Sequence, residues 1–147
     1  MRQQCRGRHP EIGDYGWEPM ILPIRHAAIR NENFRTVLWT GRYLQLTLMS
    51  IPAGGDIGVE MHPDVDQFIR IESGRATVCM GNCPDDLREV GCVDGGDALL
   101  IPAGTWHNVV NRGNRPLKLY SVYAPPQHPR GTVHETKCDA EREDHAP

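Results

Sequence analysis

A chain of 147 residues is long enough to bury one real core and too short for two ordinary domains. With 39% hydrophobic and 24% charged residues, its composition is that of a globular domain. A net charge of −3 offers no basic stripe for nucleic acid and no polybasic membrane patch, and no apolar run approaches the length of a membrane span.

The opening MRQQCRGRHPEIGD lacks the apolar centre of a signal peptide, so the expectation is a cytoplasmic chain. Five cysteines, an odd number, argue against a disulfide framework. Cys79, Cys83 and Cys92 follow one another as C-x3-C-x8-C, too loose a spacing for a zinc knot, and read as reduced thiols on strands and a loop.

Residues 1 to about 20 are polar and turn-rich and read as an arm, with Trp17 and Met20 as candidate contacts to a neighbouring subunit. His26 to Asn31 has room for one or two helical turns. Phe34–Thr40 is β-branched and aromatic and reads as a strand ended by Gly41. Tyr43–Ile51 alternates Leu44, Leu46 and Leu48 with Gln45, Thr47 and Met49, the period of a strand covered on both faces. Gly58–His62 and Gln67–Ile71 read as the next two strands around a Pro63–Asp64 turn, then Ala76–Met80 and a loop through Pro84, Asp85 and Asp86. Asp97–Ile101, Trp106–Val110 and Leu117–Tyr123 follow. Short strands at regular spacing, broken by Gly and Pro, predict an antiparallel sandwich or barrel. Ala124–His134 carries three prolines and is excluded from a central strand, so it is expected to cover a sheet or a barrel mouth. Glu135–Asp144 is a candidate short helix.

Alternation places Glu60 and His62 on one strand face, with Gln67 and His107 as further inward candidates. Two imidazoles, one carboxylate and one amide oxygen suit a divalent first-row metal, and they leave coordination positions open for a ligand. Zn, Mn, Fe and Ni all remain possible on these donors, and the Gln67 amide has the alternative of hydrogen-bonding a bound water. Glu60 is also a candidate base, and His128, His134 and Tyr123 are candidate acid/base or hydrogen-bonding groups. Arg70 and Lys118 are more in keeping with an outer face than with phosphate binding. Asp64 and Asp66 read as turn caps.

Glu60, His62 and Gln67 lie in the frame Gly54-x5-Glu60-x-His62-x4-Gln67-x6-Gly74. After 21 residues comes Gly96-x5-Pro102-x-Gly104-x2-His107-x3-Asn111. These two stretches resemble the paired motifs of the cupin superfamily, with Glu60 where the family usually has its first histidine and Gln67 where it usually has glutamate. The surrounding text is similar to small bacterial cupins labelled mannose-6-phosphate isomerase-like. The resemblance implies an all-β double-stranded β-helix, a jelly-roll barrel, over residues 34–126. An N-terminal arm at 1–33 and a C-terminal extension at 127–147 complete the expected organisation.

It further implies one divalent metal inside the barrel, acting as a Lewis acid on a small sugar-like or hydroxy-carbonyl substrate in an isomerase or lyase reaction. An Fe(II)-dependent dioxygenase and a non-catalytic ligand-binding or sensing protein are the alternatives. No phosphate-binding loop or Arg cluster accompanies the motifs, so a phosphorylated substrate is not indicated. Exposed sheet edges and the arm predict a homodimer.

Overall fold

Polar and apolar residues are sorted along the strands as well as across them, and this sorting gives the barrel two unlike ends. The computed structural model describes residues 13–144. The first twelve residues of the expected arm and the last three of the extension lie outside the described residues. In chain order the elements are α1 (Ile24–Arg30), β1 (Arg35–Thr40), β2 (Gln45–Ile51), β3 (Asp66–Ser73), β4 (Arg75–Gly81), β5 (Arg88–Asp94), β6 (Ala98–Ile101), β7 (Trp106–Val110), β8 (Leu117–Ala124), β9 (Val133–His134) and α2 (Lys137–Asp144). They make a six-stranded sheet, β6–β3–β8–β2–β1–β9, and a three-stranded sheet, β5–β4–β7. Every pairing is antiparallel.

Register fixes which side chains share a level inside. Gln45 lies opposite Tyr123, which lies opposite Gln67; Thr47 lies opposite Ser121; Met49 lies opposite Leu119, which lies opposite Ile71. Each inward row therefore runs from polar at one end to apolar at the other. The apolar end, with Met49, Ile51, Ile69, Ile71, Val78, Val109, Leu117 and Leu119, is the core shared by the two sheets. Each fully buried Leu or Ile there contributes about 1.5–3 kcal/mol. The polar end adds no such gain although it too is buried, with Gln45, Thr47 and Ser121 all at 0% exposure. Those residues are kept for some other purpose, and the candidate metal ligands lie among them.

On the outer face of the large sheet, Leu38 and Leu48 are covered by Ala27 and Ala28 of α1. The alternation across Gln45–Ile51 thus serves two layers, Leu46 and Leu48 outward and Gln45, Thr47 and Met49 inward. Tyr43 and Leu44, expected at the start of this strand, precede β2 and are exposed. Trp17 is 73% exposed, with the Arg130 guanidinium 4.6 Å above its ring.

One expectation is corrected and one strand was not foreseen. Gly58–His62 is not a continuous strand: it touches the small sheet through a single bridge, Glu60 to His107, and Asp56 just before it makes another to Val110. Gly58 interrupts the ladder because it adopts φ +102 and gives its N–H to the Asn108 side-chain oxygen at 3.0 Å instead of a strand partner. The loop expected through Pro84, Asp85 and Asp86 is present, and it leads into β5, an edge strand that the sequence did not suggest and whose residues are almost all exposed. With neither face buried, its sequence carries no alternation to read. The motif glycine Gly74 turns β3 into β4 at φ +100, where a Cβ would come within 3.1 Å of Leu117 Cα. Only glycine avoids both problems there.

Candidate metal centre

The two turns that carry the candidate ligands are tied to each other. Gly104 N–H donates to the His62 carbonyl at 2.8 Å, and Asp66 Oδ1 accepts from Ala103 N–H at 2.9 Å. From the start of β3, Asp66 therefore caps the turn of the second motif. Asn111 closes the second motif from a fully buried position. Its amide donates to the carbonyls of Ile51 and Arg115, and its oxygen accepts from Gly113 N–H. Asn111 has a structural role, and Asn108 has a related one, bridging Gly58 N–H and the Asp56 carboxylate.

Within this frame Glu60, His62 and His107 bring one ligand atom each to within 4.8 Å of the others. Glu60 Oε1 lies 3.3 Å from His107 Nε2 and 3.5 Å from His62 Nε2. Two donor atoms held about 2.0–2.2 Å from one ion are roughly 3.0–3.5 Å apart, so these spacings suit a shared cation. His107 Nδ1 lies 2.9 Å from the Thr105 carbonyl, which fixes the proton on Nδ1 and turns Nε2 toward Glu60. His62 packs edge-on against the Tyr123 ring, 5.6 Å between centroids.

Burial works against the Glu60 charge, but the contacts with His107 and His62 outweigh it and hold the carboxyl well below the ordinary carboxylate range. Burial likewise opposes a proton on His107. The Glu60 carboxylate and the Thr105 carbonyl overcome that opposition and raise its pKa. The group thus holds a carboxylate facing a proton-attracting imidazole.

Two buried donor atoms here make no hydrogen bond, one of them the His62 nitrogen 3.5 Å from Glu60. His62 Nε2 and Gln67 Oε1 are buried without a hydrogen-bond partner, although Gln67 Nε2 donates to Ser121 Oγ at 3.3 Å. A buried polar atom without a partner costs about 1–3 kcal/mol. Two such atoms in one polar chamber, beside a carboxylate and a second imidazole, are what a metal's donor set requires.

The other candidates divide. Tyr123 is fully buried at the same level as Gln67, and burial followed by the Glu60 charge pushes its phenol up to about 12. His128 Nε2 sits 3.5 Å from the Tyr123 hydroxyl, and burial and then the Arg35 charge push it down to about 3. Both groups are therefore neutral at ordinary pH. His134 turns elsewhere: its Nδ1 accepts from Arg35 Nη1 at 3.2 Å, and its Nε2 meets the Glu143 carboxylate of α2. Tyr120 faces outward beneath α1. Arg70 lies 3.6 Å from Glu72, and Lys118 donates to the Asn31 carbonyl.

Two residues that the sequence reading did not single out matter here. Gln45 holds the segment bearing His128: its Oε1 accepts from the Gln127 and His128 N–H groups, and its Nε2 donates to the His128 carbonyl at 2.8 Å. Arg35 is a buried guanidinium on the wall of a cavity of about 350 Å³ that also reaches Glu60. A polar residue sharing the inward row with Thr47 and Met49, opposite an outward row begun by two leucines, was the available signal for Gln45.

Comparison with known proteins agrees with this architecture. A family model of the cupin domain matches residues 47–123. The Bacillus subtilis protein YrkC is 54% identical over 140 residues, covering 95% of this chain and 75% of YrkC. Protein L612 of Acanthamoeba polyphaga mimivirus is 40% identical over 114 residues, covering 77% of this chain and 69% of L612. The crystal structure of BH2720 from Bacillus halodurans is 57% identical and superposes with a TM-score of 0.86, over 89% of this chain and 99% of that one.

Proposed function

The chain belongs to the cupin domain family, and on that premise we propose that Glu60, His62, Gln67 and His107 hold one divalent transition metal at which a small hydroxy-carbonyl compound is isomerised or undergoes elimination. The observation that carries this reading is the pair of buried, unpartnered donor atoms, His62 Nε2 and Gln67 Oε1, beside a carboxylate that contacts both imidazoles. With two neutral imidazoles, a neutral amide and one carboxylate, the site leaves a divalent ion a net charge of about +1. When bound, such an ion supplies Lewis acidity, polarising a carbonyl and making the adjoining carbon-bound proton easier to remove.

The remaining roles fall to the chain's own groups. His128 is kept neutral by burial and the Arg35 charge, which leave it too weak a base to take a proton from carbon, so it serves beside Tyr123 as a neutral hydrogen-bonding group. Tyr123 stays protonated and donates a hydrogen bond to the oxygen on which negative charge collects. Gln45 keeps His128 in place through the backbone of residues 127 and 128. Glu60 serves as a ligand in this scheme, since its Oε1 already points between the two imidazoles.

Elemental analysis of protein purified without added metal or chelator tests the reading, with Glu60→Ala and His62→Ala in parallel. Near-stoichiometric metal in the native protein and its loss in both variants are expected. Zinc, manganese or nickel would point to isomerase and lyase substrates, and iron to oxygen chemistry. A native protein that stays metal-free after incubation with each ion would overturn the proposal.

A further inference from the structure

Arg35 stands at the start of β1 with its side chain turned inward, and it is only 5% exposed. It makes no ion pair with any carboxylate among the described residues. Nη1 donates to His134 Nδ1, the guanidinium carbon lies 5.4 Å from the centroid of the Phe34 ring, and Nε is buried without a partner. A guanidinium carries five N–H donors in a rigid planar fork and keeps its charge inside a protein. Taking such a charge out of water is expensive unless an anion meets it.

One explanation is internal. Glu143 contacts His134, so its charge offsets Arg35 through the imidazole. That explanation accounts for one edge of the fork and leaves Nε unmet, and the Glu143 side chain is 48% exposed and water-screened. The remaining neighbours are set by the cavity of about 350 Å³, whose wall includes Arg35, Glu60, Asp56 and Lys137. Lys137 is already engaged by Asp56. Arg35 is thus the one cation of this wall without a carboxylate partner, and it lies in the cavity that Glu60 reaches.

We propose that Arg35 is an anion-binding residue that grips the carboxylate of a small hydroxy- or oxo-acid, whose other oxygens extend toward Glu60 on the same cavity wall. The planar fork matches a carboxylate, which takes two parallel N–H bonds. Among the described residues Arg35 has no carboxylate partner of its own and matches a single negative charge, while the wall carboxylates Asp56, Glu60, Glu141 and Asp144 outnumber its two cations and disfavour a dianionic phosphate more strongly than a monoanion. A cavity of this size sits at the small end of ligand sites, in keeping with a short-chain acid. The inference deepens the proposed function and rests on it for the oxygens that face Glu60; the carboxylate contact depends on Arg35 alone.

The test is calorimetric titration with lactate and pyruvate against their uncharged counterparts, 1,2-propanediol and hydroxyacetone. Native protein, Arg35→Gln and Arg35→Lys are titrated both metal-loaded and after chelation, with metal content and thermal unfolding recorded for each. Native protein should prefer the acids by about tenfold or more. Arg35→Gln should lose that preference while keeping its metal, and Arg35→Lys should keep part of it.

An unchanged preference in Arg35→Gln overturns the assignment, as does a native protein that binds acid and neutral compound alike; the native comparison decides even if the variants fail to fold. The two proposals fail differently. If the metal reading is wrong, native protein lacks metal but still prefers acids through Arg35. If the Arg35 reading is wrong, metal is retained and its substitution changes nothing.

Discussion

Glu60 and His107 are joined three times. Glu60 N–H donates to the His107 carbonyl at 3.0 Å, His107 N–H donates to the Glu60 carbonyl at 2.9 Å, and Glu60 Oε1 lies 3.3 Å from His107 Nε2. The backbone pair fixes both Cα positions, so the side chains meet without either having to search. This makes the site a proton-binding pair whenever it is metal-free.

The lowered Glu60 pKa contributes stability above its ordinary 4.5, which is lost as pH falls through the depressed value. The raised His107 pKa contributes stability below its ordinary 6.5, which is lost as pH rises through the elevated value. Chelated protein should therefore gain most from this pair between those two values. Denaturant midpoints measured across pH should show the gain, and Glu60→Gln should flatten it. Parallel curves for native and variant would contradict the coupling. Metal affinity should run the other way, climbing as pH rises through the His107 value, because the ion must displace that proton.

The inward positions of Glu60, His62, Gln67 and His107 were legible because the spacing of two Gly- and Pro-bounded stretches sets both the turns and the strand phase. What stayed hidden depended on contacts distant in sequence. Arg35 looks like an ordinary polar residue at a strand start until β9 pairs beside it and α2 roofs the cavity. Gln45 lies on a face expected to be covered, but what its amide holds shows only when the proline-rich segment folds back onto it. Gly58–His62 has the alternation of a strand, but the Asn108 side chain takes the N–H that a ladder would need. β5 has the reverse problem, pairing through its backbone while its side chains face water.

Gln45 satisfies groups on both sides of its amide, so removing it strands several at once. Gln45→Leu leaves the Gln127 and His128 N–H groups and the His128 carbonyl without their partner. We expect a loss of about 2–4 kcal/mol in chemical denaturation, together with faster hydrogen exchange at residues 127 and 128. Exchange unchanged there would mean that the segment is held by something else.

Tyr123 separates packing from chemistry. The whole side chain is buried between His62 and His128. Tyr123→Ala should cost about 3–5 kcal/mol through the cavity it opens. Tyr123→Phe keeps the ring and removes only the hydroxyl, so stability should change by about 1 kcal/mol or less. In the proposed reaction that hydroxyl stabilises developing charge, and Tyr123→Phe should lower kcat roughly 10- to 100-fold with little change in KM. A phenylalanine variant with native kcat would leave Tyr123 as a packing residue alone.

The C-terminal helix α2 roofs the cavity, and its attachment divides between a buried anchor and two polar latches. Ala140 packs into the core with Phe34 and Ile57, while Lys137 binds the Asp56 carboxylate and Glu143 meets His134. Burial opposes the Asp56 charge, but bonds from Lys137 and Asn108 prevail and lower its pKa, so this latch holds above the ordinary 3.8 and is lost as pH falls through the lowered value. Because the Lys137 and Asp56 side chains are each about a third exposed, water and salt screen most of their attraction. Lys137→Met should therefore reduce global stability by about 1 kcal/mol or less. It should act locally instead, raising hydrogen exchange of residues 137–144 several-fold while the β2 and β8 amides stay protected. Added salt should produce a milder version of the same pattern in the native protein. If exchange in α2 and in β2 rises together, the helix opens only with the whole fold and the latch has no separate role.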